Sequence, residues 1–221
     1  TYDDQGDGAQ GKNYIQKLVE DDGVFALVGN LGTWNIVAAQ DYIEESGVPS
    51  VYWGTGSSYQ YFNPAEGNER YTFPVQPIYN TEGRIMYLRA MQLASLEGSG
   101  VTSVSKIGVI HSSSDDGASI KAGIEEQRNI NLATDPNQPT VTYAQMNSTV
   151  ATELTAQVQA VKDCDVVIIA GNQTYFQAAY NAMQTANVRK PVITSYVNIA
   201  PATVPDEAVD ANASDIYGGA W

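Results

Sequence analysis

The sequence has 221 residues, of which 43% are hydrophobic and 10% aromatic, and this is the composition of a globular protein rather than a disordered one. Its formal net charge is −14, which opposes binding to the phosphate backbone of nucleic acids and to anionic membrane surfaces. Composition and charge therefore argue against nucleic acid as a partner, and they do not identify a ligand.

Short apolar runs rich in β-branched residues alternate with amphipathic segments along the chain. Such runs are typical of strands buried on both faces of a parallel sheet. The predicted strands lie at 24–29, 49–53, 106–111, 165–171 and 191–196, with a last one in DIYGGAW at the end of the sequence. The predicted helices lie at 11–22, 34–46, 80–96, 117–128, 150–162 and 174–187, the fifth with Thr149 as its N-cap. This alternation predicts an α/β fold with helices on both faces of parallel sheets.

The best internal boundary is the Gly/Ser-rich segment SLEGSGVTSVS at 95–105. The same alternation of strands and helices runs on both sides of it, which predicts two Rossmann-like lobes, residues 1–100 and 101–221. The first lobe has too few predicted strands for a closed, covered sheet. We therefore expect the chain to be a fragment of a larger fold.

The turn GDGAQGK at 6–12 matches the GxGxxG pattern and all but the last position of a phosphate-binding loop. Asn13 stands where such a loop carries the Ser or Thr that holds magnesium. Three acidic residues in the same turn would also repel a phosphate: Asp3, Asp4 and Asp7. We interpret the segment as a polar turn and a helix start, and we expect no cofactor.

The single cysteine and the single histidine give little support to catalysis or metal binding. Cys164 cannot form an internal disulfide, and no histidine lies near it in the sequence to activate the thiol, so we interpret it as structural. His111 ends a predicted strand and is interpreted as a polar strand-end residue. The sequence has no GxSxG, HExxH or EF-hand pattern. Together these features predict a protein that is not an enzyme.

Polar loops follow each of the five predicted strands, where ligands bind in open α/β sheets. They offer hydroxyl, amide and backbone N–H groups, and several carry an aromatic side chain; they begin at Asn30, Gly54, Ser112, Asn172 and Tyr196. None pairs a nucleophile with a base, which predicts a site that binds and releases a small polar molecule. A carboxylate would fit Thr33 and the backbone amides near Gly54 and Ser57. The alternative is that the hydroxyl residues only cap the helices that follow.

These loops, in their order and spacing, resemble those of the type I periplasmic binding proteins of the leucine/isoleucine/valine-binding class. The resemblance covers nearly the whole chain and includes VFALVGNLGTW, SGVPSVYWGTGSS, KIGVIHSSSDDGASIKAGIEE and DCDVVIIAGNQTYFQAAYNAM. It implies capture of an amino acid or related carboxylate between two lobes. The protein would then deliver this ligand to the membrane permease of an ABC importer, in the periplasm or outside the cell. It also implies that further segments of the fold precede residue 1 and follow Trp221.

The resemblance assigns the ligand carboxylate to the hydroxyl of Thr33. It assigns backbone and hydroxyl contacts to Gly54, Gly56 and Ser57 in the loop after the next strand. Trp34, directly after Thr33, and Trp53 are candidates for contact with an apolar or aromatic part of the ligand, with a place in the core as the alternative for each.

Three positions depart from the pattern of this family. Asp116 and Asn172 stand where it often has aromatic residues, and Tyr196 lies where amino-acid binders usually carry an acid that holds the ammonium group. The carboxylate-binding half is thus intact and the ammonium-binding half is altered. Either Asp115 or Asp116 takes over the ammonium group, or the ligand lacks one and Tyr196 faces an apolar group.

Two other classes of function stay open. A sensory ectodomain with the same fold would signal by closing on its ligand, and a membrane span following this region would favour it. A Rossmann-type nucleotide enzyme rests only on the turn at 6–12. Stabilisation by ATP or NAD, with amino acids and organic acids inert, would favour the enzyme.

Overall fold

The computed structural model describes residues 1–57, 71–209 and 214–219, and the chain divides into two compact units, Thr1–Tyr79 and Asn80–Trp221. This division lies earlier than the boundary expected after residue 100. The reason is helix α3 (Tyr79–Gln92), which packs against helix α4 (Asp115–Leu132) of the second unit. A Cβ atom on Gly83 of α3 would meet the backbone of Ile120. The Gly/Ser-rich segment is therefore a connection inside the second unit.

The first unit is a three-stranded parallel sheet with strand order β1-β2-β3. Its elements are α1 (Gly8–Glu20), β1 (Leu27–Val28), α2 (Thr33–Ser46), β2 (Ser50–Trp53) and β3 (Thr72–Pro74). Its core includes Ile15, Ile36, Ile43 and Trp53. Trp53 is thus a core residue, which was one of its two expected roles. Side chains on the other side of the sheet are more than half exposed: Val28, Tyr52 and Phe73.

Helix α1 begins within the predicted polar turn, with Asp7 as its N-cap. Oδ1 of Asp7 accepts hydrogen bonds from the backbone N–H groups of Ala9 at 2.8 Å and Gln10 at 3.0 Å. The predicted turn and helix start is therefore confirmed. The carboxylate of Asp7 occupies the helix N-terminus, where a nucleotide phosphate would have to lie.

The second unit is a five-stranded parallel sheet with strand order β5-β4-β6-β7-β8. Its strands are β4 (Lys106–Ser112), β5 (Thr140–Met146), β6 (Val166–Ala170), β7 (Val192–Thr194) and β8 (Ile216–Gly218). Besides α3 and α4 it contains helices α5 (Thr155–Val161) and α6 (Gln173–Thr185). The predicted α/β fold with parallel sheets is confirmed. Strands β3 and β5 were not predicted.

The central strand β6 is fully buried, in agreement with its continuous apolar run. One core cluster packs on it and on its neighbours, and it includes Ile110, Met146, Val161, Phe176 and Tyr180. Burying each side chain of this size stabilises the fold by about 1.5–3 kcal/mol. Within the described residues, none of the helices has the length and hydrophobicity needed to cross a membrane.

The segment before helix α5 corrects one prediction. Thr149 was expected to cap a helix at 150–162, whereas α5 begins at Thr155 with Leu154 as its N-cap. A short 3-10 helix, Ala151–Glu153, comes first. Leu154 is buried in the core, so the chain turns inward before the α-helix starts.

Asp165 joins the start of β6 to the start of β4. Its Oδ2 accepts hydrogen bonds from the backbone N–H groups of Ser105 at 2.7 Å and Lys106 at 2.9 Å, and from the Ser105 hydroxyl at 3.0 Å. Burial acts to raise the pKa of Asp165, but these hydrogen bonds outweigh it and hold the pKa below its usual value.

We expect Asp165→Asn to lower the free energy of unfolding by about 1 kcal/mol at neutral pH, because the ionised carboxylate is the stronger acceptor and the site is largely exposed. A carboxylate whose pKa is depressed in the folded state contributes stability at pH values above its pKa in the unfolded state, which is about 4. This stability is lost as the pH falls through the pKa of the folded state. Urea denaturation at neutral and acidic pH measures the difference, with the exposed neighbour Asp163→Asn as control. An equal loss at both pH values would contradict an ionic role.

Candidate functional site

The first two strand-end loops of the first unit are joined by backbone hydrogen bonds. The N–H group of Gly54 donates to the carbonyl of Asn30 at 2.8 Å, and the N–H group of Gly32 donates to the carbonyl of Gly54 at 3.2 Å. The N–H group of Gly54, in the loop whose backbone amides were predicted to bind a carboxylate, thus has a partner within the protein. Gly54 lies beside the candidate site, and its contribution there is to hold the two loops together.

Three hydroxyl residues gather where α2 begins. The Oγ1 atoms of Thr33 and Thr55 are 2.8 Å apart, and the N–H group of Ser57 donates to Thr55 Oγ1 at 3.1 Å. All three side chains are buried. One of the two threonines donates to the other, so one hydroxyl proton remains for a further acceptor. The Oγ atom of Ser57 is buried and has no hydrogen-bond partner among the described residues.

Helix α2 begins at Thr33 without a side-chain cap. Gly32 is its N-cap, with φ 99°, and because glycine has no side chain, no N-cap side chain accepts from the first N–H groups of the helix. These groups carry the positive end of the helix dipole, which favours an anion. Trp34 is half exposed at this end and lies against Gly32, where a Cβ atom would come within 3.0 Å of the indole ring. Trp34 is therefore a surface residue at the helix start and not a core residue.

The loop around Gly56 is held by close backbone packing. A Cβ atom on Gly56 would lie 2.7 Å from the carbonyl oxygen of Pro77 and from the ring of Tyr79, so only glycine fits. The amide oxygen of Gln76, in the orientation that satisfies both partners, accepts from the N–H groups of Thr55 at 3.0 Å and Gly56 at 2.9 Å. The contribution of Gly56 is thus to let the loop that carries Ser57 turn tightly.

Asp116 connects two strand-end loops of the second unit. One oxygen accepts hydrogen bonds from the hydroxyls of Ser114 and of Ser112, the latter at 3.3 Å, and the other accepts from the N–H group of Asn172 at 2.8 Å. The residue is 4% exposed. Its carboxylate is committed to the protein, which leaves the half-buried Asp115 beside it as the carboxylate nearer the solvent.

Asn198 connects the loop after β7 to the loop after β6. Its side-chain amide donates to the carbonyl of Gly171 and to the hydroxyl of Thr194, both at 2.8 Å, and its oxygen accepts from the N–H group of Gln173 at 2.6 Å. Asn198 is fully buried. Asn172 and Tyr196, both half-buried, therefore lie on loops that the buried side chain of Asn198 holds in place.

A family model matches almost the whole chain. The family model described as "Periplasmic binding protein" matches residues 1–220. This chain belongs to the periplasmic binding protein family. Proteins of this family bind solutes. None of the curated proteins matches the sequence.

Solved structures with the same fold include three ligand-binding proteins. A leucine-binding protein from Thermotoga maritima has 15% identity and a TM-score of 0.72, with 91% of this chain and 53% of that chain covered. An extracellular ligand-binding receptor from Verminephrobacter eiseniae has 17% identity and a TM-score of 0.70, with 87% and 50% covered. A solute-binding protein of an ABC transporter from Rhodopseudomonas palustris, in complex with 3,4-dihydroxybenzoic acid, has 15% identity and a TM-score of 0.66, with 88% and 49% covered.

At these identities the likeness shows the fold, and this chain spans about half the length of each of these structures. The predicted membership of the periplasmic binding protein family is confirmed. The assignment of individual residues to ligand binding stays a prediction.

His111 and Cys164, for which no catalytic role was predicted, both lie in buried positions of this periplasmic binding protein. His111 is buried and lies edge-on to Tyr143, and its Nδ1 is 3.0 Å from the carbonyl of Ser112; burial lowers its pKa. Cys164 is buried in the core, and burial raises the pKa of its thiol. Among residues 1–57, 71–209 and 214–219, no three His, Cys, Asp or Glu side chains are placed to hold a metal ion.

Three residues that organise the loops were not predicted as site residues: Thr55, Asn198 and Glu82. Thr55 and Asn198 lie in the predicted polar loops, but a polar residue there gives no sign of whether its side chain points into the protein. Glu82 lies in a predicted amphipathic helix, and its partners are more than one hundred residues away in the sequence. Only the fold brings them together.

Proposed function

We propose that this chain is the ligand-binding part of a solute-binding protein that captures a small carboxylate-bearing molecule. The ligand class is an amino acid or a related or aromatic organic acid. The protein would work without catalysis, in the periplasm or outside the cell, and deliver its ligand to the membrane permease of an ABC importer. Membership of the periplasmic binding protein family supports the general role.

The observation that carries the carboxylate assignment is the hydroxyl cluster at the start of α2. Thr33 and Thr55 share a hydrogen bond, the buried Ser57 hydroxyl has no partner among the described residues, and the N-cap of the helix is a glycine without a side chain. Buried polar groups are nearly always paired, so an unpaired hydroxyl beside a helix N-terminus favours an acceptor that arrives from outside. A ligand carboxylate is such an acceptor, and the helix dipole favours its charge.

The second unit is proposed to recognise the remainder of the ligand. Asp115, Asn172 and Tyr196 are half-buried on loops that Asp116 and Asn198 hold in place. A carboxylate at Asp115 suits an ammonium group, and a tyrosine suits an aromatic or apolar group. Both an amino acid and an aromatic acid fit this combination.

A direct test uses the full-length protein that contains this chain. Small molecules released from the purified protein are identified by mass spectrometry, and a thermal-shift screen compares amino acids, aromatic carboxylic acids, their uncharged amides, ATP and NAD. We expect a carboxylate to stabilise the protein and its amide to do so far less. Stabilisation by ATP or NAD alone would contradict the proposal.

Thr33→Ala is expected to weaken carboxylate binding by about 1–3 kcal/mol, the usual cost of removing one partner of a buried polar contact. Isothermal titration calorimetry of the full-length variant with the carboxylate found in the screen measures this loss. Thr33→Ser keeps the hydroxyl and is the matched control, with an affinity close to that of the wild type. An unchanged affinity in Thr33→Ala would mean that the carboxylate binds elsewhere.

A further inference from the structure

A buried carboxylate outside the predicted site holds the loop that carries Tyr196. Glu82 lies in the first turn of α3, the first helix of the second unit, and is 7% exposed. Its Oε1 accepts from the N–H group of Tyr196 at 2.7 Å, and its Oε2 accepts from the hydroxyl of Ser195 at 2.8 Å. Both carboxylate oxygens are thus used by two consecutive residues that directly follow β7.

Burial of this acid is unfavourable for its charged form. Desolvation raises the pKa of Glu82, and the two hydrogen bonds from Tyr196 and Ser195 act in the opposite direction. Burying a carboxylate costs more free energy than burying an apolar side chain of similar size. An apolar side chain at this position, however, would not supply the two oxygen acceptors that bind the loop after β7.

The hydrogen bonds continue from Glu82 into the next loop. Ser195 Oγ accepts from the N–H group of Val197 at 3.4 Å and so begins the short helical turn Tyr196–Asn198. Asn198, at the end of this turn, accepts from the N–H group of Gln173 at 2.6 Å, where α6 begins. The loop after β7 is therefore fixed at its first residue by Glu82 and at its last by the loop after β6.

We propose that Glu82 is a positioning residue for ligand capture, which sets the orientation of Tyr196 without itself touching the ligand. This rests on the proposed function, because Tyr196 matters to binding only if the loop after β7 meets the ligand. The carboxylate fixes the chain directly before the Tyr196 Cα atom, through the Ser195 hydroxyl and the Tyr196 N–H group. A loop fixed before binding loses less conformational entropy when the ligand arrives.

Two variants separate this role from a general contribution to stability. Glu82→Ala removes both acceptors. Glu82→Gln keeps one oxygen for the Tyr196 N–H group, and its NH₂ group can donate to the Ser195 hydroxyl, which is able to rotate and accept. We expect the glutamine variant to restore most of what the alanine variant loses. Tyr87→Phe is the control on the same helix, since it removes a hydrogen bond to Gln138 on a different part of the unit.

Hydrogen–deuterium exchange of the ligand-free, full-length protein is the first measurement. In Glu82→Ala we expect exchange in residues 195–199 to be about tenfold faster or more, with β5 unchanged. The second measurement is a binding affinity. The ligand is chosen from a panel of the twenty amino acids and simple aromatic carboxylic acids, as the compound that stabilises the wild type most. We expect this affinity to be weaker by about tenfold or more in Glu82→Ala and near the wild-type value in Glu82→Gln and Tyr87→Phe.

Unchanged exchange at 195–199, or an affinity loss no larger than that of Tyr87→Phe, would overturn the positioning role. Faster exchange with unchanged affinity would overturn it as well, because the loop would then be irrelevant to binding. A wild-type protein that binds no member of the panel contradicts the proposed function itself. The exchange data separate that outcome from a failure at Glu82 alone.

Discussion

Gly123→Ala is expected to lower the free energy of unfolding of this protein by about 2–4 kcal/mol, although alanine favours helices by about 1 kcal/mol. Helices α3 and α4 cross at two glycines. A Cβ atom on Gly123 would overlap the carbonyl of Asn80 and lie 3.1 Å from the backbone nitrogen of Arg84, and one on Gly83 would overlap the backbone of Ile120. Backbone atoms of a helix cannot move aside as a flexible side chain can, so the helices must separate.

Urea denaturation of the full-length protein measures this loss. Asn129→Ala, at an exposed position of the same helix, is the matched control, because it raises helix propensity without a steric conflict. We expect its stability to equal or slightly exceed that of the wild type. If Gly123→Ala were as stable as Asn129→Ala, α3 and α4 would not be in this close contact.

The buried strands could be predicted because their sequences report their environment directly. VVIIA of β6 is apolar at every position because helices cover both faces of the central strand. Strand β5, Thr140–Met146, lies at the edge of the sheet and alternates polar and apolar residues, so a search for continuous apolar runs does not find it. Strand β3 has three residues, which is too short for any periodicity.

The loops of the candidate site could be predicted from their position after the strands, but the roles within them could not. Asp115 and Asp116 are adjacent and chemically identical, and only the fold shows that Asp116 turns inward to Asn172. The sequence also gives no sign that Glu82 meets Ser195, since the two lie 113 residues apart. Side-chain contacts of this kind depend on tertiary structure, whereas periodicity records local structure.

Asp116→Ala is expected to lower the free energy of unfolding by about 2–4 kcal/mol and to weaken ligand binding. The reason is that the change leaves the N–H group of Asn172 and two serine hydroxyls without the buried acceptor that joins them. Asp116→Asn is expected to cost much less. Its oxygen can still accept from Asn172, while its NH₂ group faces hydroxyls that can rotate and accept. Urea denaturation of the three proteins measures this order.

The adjacent residue separates folding from recognition. Asp115 is half-buried in the first turn of α4, where its charge stabilises the helix by at most about 1 kcal/mol, so Asp115→Ala is expected to change stability little. If its carboxylate holds a ligand ammonium group, Asp115→Ala weakens binding of an amino acid but not of the same acid without the amine. Isothermal titration with such a matched pair of ligands decides the question. An equal loss for both ligands would mean that Asp115 acts on the loop, as Asp116 does, and that the ammonium group, if the ligand has one, is held by another residue.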